Sequence, residues 1–85
     1  MYNIKFTPTG KKDFESLPNN IQKRVQEKLR SNALLPNPLI RAKPLTDLPP
    51  STHRFRIGKY RASFFIENKI IFIERLETRG RAYQR

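Results

Sequence analysis

Residues 53–64 read His-Arg-Phe-Arg-Ile-Gly-Lys-Tyr-Arg-Ala-Ser-Phe, and how they alternate decides the fold. In a strand, neighbouring side chains point to opposite faces. Over 53–57, Phe55 and Ile57 share one face, and Arg54 and Arg56 share the other. Gly58-Lys59 then permits a tight turn. Over 60–67, Tyr60, Ala62, Phe64 and Ile66 share one face, and Arg61, Ser63, Phe65 and Glu67 share the other. The stretch therefore predicts a hairpin with an apolar underside and three arginines, Arg54, Arg56 and Arg61, on its upper face. Guanidinium groups are wasted under a helix, so the helices should cover the underside only.

The pattern continues outward on both sides. Asn68-Lys69 reads as a second hairpin tip, and Ile70 to Leu76 as a third strand. At the other end, Tyr2, Ile4 and Phe6 alternate with Asn3, Lys5 and Thr7, which predicts a strand stopped by Pro8. Thr9 is the expected cap of a short helix to about Leu17, with Phe14 and Leu17 on its apolar side. Pro18-Asn19-Asn20 breaks it, and either asparagine is placed to cap the next helix. There Ile21, Val25 and Leu29 recur at four-residue steps, extended by Leu34, which marks a longer amphipathic helix. Five of the seven prolines lie in residues 36–50, which predicts a loop without regular structure. The expectation is one α+β domain over residues 1–85. It has an N-terminal strand and a helical hairpin packed on a twisted, mainly antiparallel, four-stranded sheet.

Composition narrows the partners. The 85 residues carry 18 Lys and Arg against 7 Asp and Glu, a net charge of +11. Such a field attracts polyanions, nucleic acid first. There are no cysteines and one histidine, His53, so no disulfide scaffold, zinc-thiolate site or histidine cluster is expected. No metal and no cofactor is implied. The first residues show no secretory signal, and no apolar run approaches the length of a membrane span, so a cytoplasmic protein without a membrane partner is expected. No Ser-His-Asp or Cys-His set and no glycine-rich phosphate loop is found. The arginines remain the main chemical signal, because each presents a fixed fork of donors that fits phosphate oxygens. Arg75, Arg79, Arg81 and Arg85 add to them, and Phe65 and Tyr83 are aromatic surfaces on which bases can stack. The basic helix residues Lys23, Arg24, Lys28 and Arg30 read as a solubilising outer face.

The order and spacing of several short segments resemble the RelE branch of the RelE/ParE toxin superfamily of prokaryotic toxin–antitoxin systems. They are Tyr2-x-Ile4-x-Phe6, Leu17-Pro18, Ile21-Gln22, Lys43-Pro44-Leu45, the run Arg54-x-Arg56-x-Gly58-x-Tyr60-Arg61, and Arg79-Gly80-Arg81-Ala82-Tyr83. The resemblance covers nearly the whole chain. It implies the sheet-and-hairpin fold and a ribosome-dependent RNA endonuclease that cuts messenger RNA in the ribosomal A site. By motif match, Arg54, Arg56, Arg61, Arg79 and Tyr83 fall at catalytic positions; Arg81, Phe65 and Lys59 are expected to bind the RNA. A cognate antitoxin, the ribosome and mRNA are the implied partners. In the best-known pattern lysines occupy the sites matching Arg54 and Arg56, so the resemblance assigns no general base here. Two alternatives follow from the same fold: a ParE-like inhibitor of DNA gyrase, and a catalytically weak module that binds RNA or antitoxin.

Overall fold

The computed structural model describes residues 1–78. Strand β1 (Asn3–Phe6) leads into helices α1 (Pro8–Glu15) and α2 (Asn19–Ala33). A 3-10 turn (Pro38–Arg41) precedes the strands β2 (Ala42–Pro44), β3 (His53–Ile57), β4 (Tyr60–Glu67) and β5 (Ile70–Thr78). They form one five-stranded sheet in the order β1-β5-β4-β3-β2. Every pairing is antiparallel except β1 on β5. Among the described residues no helix is long and apolar enough to cross a membrane.

The alternation of residues 53–64 carries through. Phe55 pairs with Ala62 across β3 and β4, and both are fully buried. They meet Phe64, Ile71, Ile73, Val25 and Leu29 in the core, with α2 as its lid. Phe55 and Phe64 stack with ring centres 4.2 Å apart. Burying such side chains is worth about 1.5–3 kcal/mol each, which is what holds a sheet this small together.

Several sequence expectations need correction. The sheet has five strands, not four, because the proline-rich stretch holds both the 3-10 turn and β2. Asn37 caps that turn by accepting from the Leu39 N–H at 3.1 Å. Pro44 is tolerated because β2 is an edge strand, where a missing N–H need not break a ladder. Helix α1 is capped by Thr7, not Thr9: its hydroxyl accepts from the Gly10 N–H at 3.2 Å, and Pro8 opens the helix. Helix α2 starts from Pro18, whose extended backbone presents its carbonyl to the N–H groups of Ile21 and Gln22. Asn19 and Asn20 lie inside the first turn and cap nothing. Strand β5 runs two residues past Leu76.

Gly10, of a residue type that disfavours helix interiors, is what seats α1 on the sheet. A Cβ there would collide with the Ile73 carbonyl oxygen and stand 3.0 Å from its carbon. The same carbonyl accepts from the Thr7 N–H at 3.0 Å and from the Thr7 hydroxyl at 3.3 Å. Asp13, further along α1, accepts from the Leu76 N–H at 3.0 Å. Where β1 stops, α1 thus takes over the edge of β5 and satisfies donors and acceptors that would otherwise face solvent.

Candidate functional site

Register fixes which side chains share the face that the helices leave free. In antiparallel pairs, directly opposed residues point to the same side. Arg56 opposes Arg61, and Arg61 opposes Glu77. In the next row Lys43 opposes Arg54, Arg54 opposes Ser63, and Ser63 opposes Arg75. The three predicted arginines of the hairpin therefore lie together on one face, opposite the buried Phe55 and Ala62. Arg56 is exposed, and Arg54 and Arg61 are half-buried.

The two rows differ in access. The segment before β3 is pinned by bonds from the Leu45 N–H to the Thr52 carbonyl (2.8 Å) and from the Thr52 N–H to the Phe64 carbonyl (2.9 Å). It brings Leu48, Pro49, Pro50 and Ser51 beside Ser63, Glu74, Arg75 and Glu77, around a cavity of about 290 Å³. Ser63 and Ser51 are consequently buried. At the turn end of the hairpin, Arg56, Gly58, Lys59, Tyr60 and Arg61 line a second hollow of about 170 Å³. Gly58 adopts φ +59, which glycine accepts readily. The Lys59 ammonium lies 6.0 Å from the Tyr60 ring centre.

Phe65 sits on the arginine face and stacks on Phe72 at 5.0 Å between ring centres. It is half-buried, with ring surface left over for a base. His53 lies on the other face, its ring 6.0 Å from that of Phe64 and its Nδ1 2.9 Å from the Thr52 hydroxyl. It is a packing residue on the face opposite the arginines. Arg79, Arg81 and Tyr83 lie outside the described residues.

Sequence reading missed the acidic side of the site. Glu74 and Glu77 of β5 both line the 290 Å³ cavity. Arg75 bonds Asp13 of α1 through Nε at 2.8 Å, and its Nη2 reaches Glu77 Oε2 at 3.4 Å. The Asp13 hydrogen bond, reinforced by the charges of Asp13 and Glu77, pushes the Arg75 guanidinium higher still against the opposing effect of burial. Arg75 is a bracket between helix and sheet and not a free cation. As a whole the face offers guanidinium forks for phosphate oxygens, an aromatic ring, hydroxyls and a bracketed carboxylate.

A family profile described as the ParE toxin of type II toxin–antitoxin system, parDE, matches residues 4–83. The chain is similar to one in the toxin–antitoxin complex RelBE2 of Mycobacterium tuberculosis: identity is 30% and TM-score 0.72, over 92% of this chain and 98% of that one. It is similar to one in the archaeal RelE–RelB complex of Pyrococcus horikoshii at 28% identity and TM-score 0.71, over 94% and 97%. The intact RelBE complex of E. coli shares the fold at TM-score 0.69 and 17% identity, over 92% and 96%. No curated protein sequence matches the chain.

Proposed function

The chain belongs to the ParE-toxin family of type II toxin–antitoxin systems, within the RelE/ParE superfamily, and on that premise we propose that it is a ribosome-dependent RNA endonuclease. It cuts mRNA in the A site and is silenced by a cognate antitoxin. The observation that carries this reading is the direct opposition of Arg56 and Arg61, with Arg54 one row away, on the face no helix covers. Like charges directly across a sheet are destabilising. Glu77, opposite Arg61 on its other side, offsets part of that cost, and a bound polyanion would offset more.

The reaction uses the RNA's own 2′-hydroxyl. Its oxygen attacks the adjacent phosphorus in line as the bond to the 5′-oxygen breaks, leaving a 2′,3′-cyclic phosphate. Arg54, Arg56 and Arg61 hold the non-bridging oxygens and neutralise the charge that builds on them, which fixed donors do well because they need not reorganise. Arg79 and Tyr83 complete the set in this proposal, and Arg81, Phe65 and Lys59 hold the flanking RNA. Similar chains occur in complexes with antitoxins. A +11 surface suits an acidic antitoxin segment as well as RNA.

The test is cleavage of mRNA on programmed ribosomes, mapped by primer extension. Wild type should cut in the A site, and Arg61→Ala should be slower by on the order of 100- to 1,000-fold. Intact mRNA with wild type, or unchanged cutting by Arg61→Ala, refutes the reading. A second reading, inhibition of DNA gyrase, is favoured by the description of the matching family. A supercoiling assay separates the two: inhibition without RNA cleavage selects gyrase.

A further inference from the structure

Arginines stabilise a pentavalent phosphorus but accept protons poorly, since a guanidinium stays charged up to a pH above about 12. The cleavage reading therefore lacks a base. The row Arg56–Arg61–Glu77 supplies one. Glu77 is the carboxylate directly across from Arg61, so a phosphate seated on Arg61 brings its neighbouring ribose towards Glu77. The carboxylate is held in place. Asp13 fixes Arg75 at 2.8 Å, and Arg75 contacts Glu77 Oε2 at 3.4 Å. The Glu77 side chain is 11% exposed, and it lines the 290 Å³ cavity with the Ser51 and Ser63 hydroxyls. That cavity is roomy enough for a ribose.

We propose, resting on the cleavage reading above, that Glu77 is the general base of this site. Its carboxylate takes the proton of the 2′-hydroxyl as the 2′-oxygen bonds to phosphorus. The bond from phosphorus to the 5′-oxygen breaks, and the departing oxygen takes a proton from water. Glu77 then returns its own proton to water. Glu74, the other carboxylate at the cavity, is less suited. It lies in the bulge of β5 and has no residue directly across from it on β4, whereas Glu77 stands directly across from Arg61. Among the described residues, the charged groups around Glu77 are Arg61 from β4, Arg75 on its own strand, Asp13 of α1 behind Arg75, and Glu74 across the cavity, with Arg56 one strand further.

The test is single-turnover cleavage on programmed ribosomes, followed against pH, with wild type, Glu77→Gln, Glu77→Asp and Glu74→Gln. Thermal unfolding verifies that each variant is folded. General-base loss typically costs about 100-fold or more. Glu77→Gln should fall by that factor at unchanged ribosome affinity, and should lose the drop in rate that wild type shows on acidification. Glu77→Asp should recover part of the rate, and Glu74→Gln should fall less than Glu77→Gln and keep the acid limb. If wild type cuts and Glu77→Gln cuts as fast, the base assignment fails while the cleavage reading stands. A slow Glu77→Gln that keeps the acid limb, or a Glu77→Asp no faster than Glu77→Gln, makes the role positional and overturns the proposal. So does a Glu74→Gln that alone abolishes cutting. A wild type that cuts nothing overturns both.

Discussion

At the scale of single residues, the structure sets stability against binding. Arg56 and Arg61 face each other across β3 and β4. Arg56→Thr removes the repulsion and places a β-branched residue in a strand, so the fold should gain a few tenths of a kcal/mol. The unfolding midpoint in urea should rise slightly while affinity for programmed ribosomes falls. A variant that lost both would mean that Arg56 supports the sheet. The arginines were legible in the sequence because alternation holds within each of the two strands, His53–Ile57 and Tyr60–Glu67. Glu77 was not, and the reason is local. In strict alternation from Ile71 and Ile73, Arg75 and Glu77 would follow them into the core and Leu76 would face solvent. The shift of register between Ser63 and Phe64 inserts an extra residue in β5. Leu76 then turns inward, 5% exposed, and Glu77 turns onto the arginine face. A bulge of this kind leaves no mark in composition or period.

At the scale of elements, the helices and four of the five strands could be read from periodicity, because each buries one face on a common core. Strand β2 could not. Its three residues are held by pairing to β3 and not by a pattern of their own, and prolines surround them. The contact of α1 with β5 was equally hidden, since a glycine in a helix normally signals weakness. Here it signals approach. In a solvent-exposed helix Gly→Ala stabilises by about 1 kcal/mol. Gly10→Ala should do the opposite, because the new methyl meets the Ile73 carbonyl, and overpacking of this sort costs about 1–3 kcal/mol. A lower urea midpoint for Gly10→Ala is the expected outcome, and a higher one would show that α1 can shift away from the strand. The Asp13–Arg75 bracket rides on the same contact, so loosening α1 should also unsettle Glu77.

At the scale of the molecule, charge dominates recognition. On the RNA reading, a +11 chain would release counterions on binding. Each phosphate held adds about 0.7 to the slope of log affinity against log salt for single strands. Removing Arg54, Arg56 or Arg61 singly should lower the measured slope for ribosome binding by about that amount, and removing all three by about 2. Removing the helix residues Lys23 or Lys28, exposed on α2, should change the slope far less. An equal effect from both sets would place RNA on the helices as well.

The pairing of β1 with β5 also governs when this molecule comes into being. β5 is the last of the described elements to be synthesised, yet it lies between β1 and β4 and carries the anchor of α1. Residues 3–6 must wait for residues 70–73 before either strand has its neighbour. A chain still being threaded from its own template holds β1, both helices and the first hairpin without the strand that joins them. The arginine face gains Glu77 and its β5 neighbours only once that strand has emerged, so on the proposed reading a partly made chain spares the ribosome that is making it.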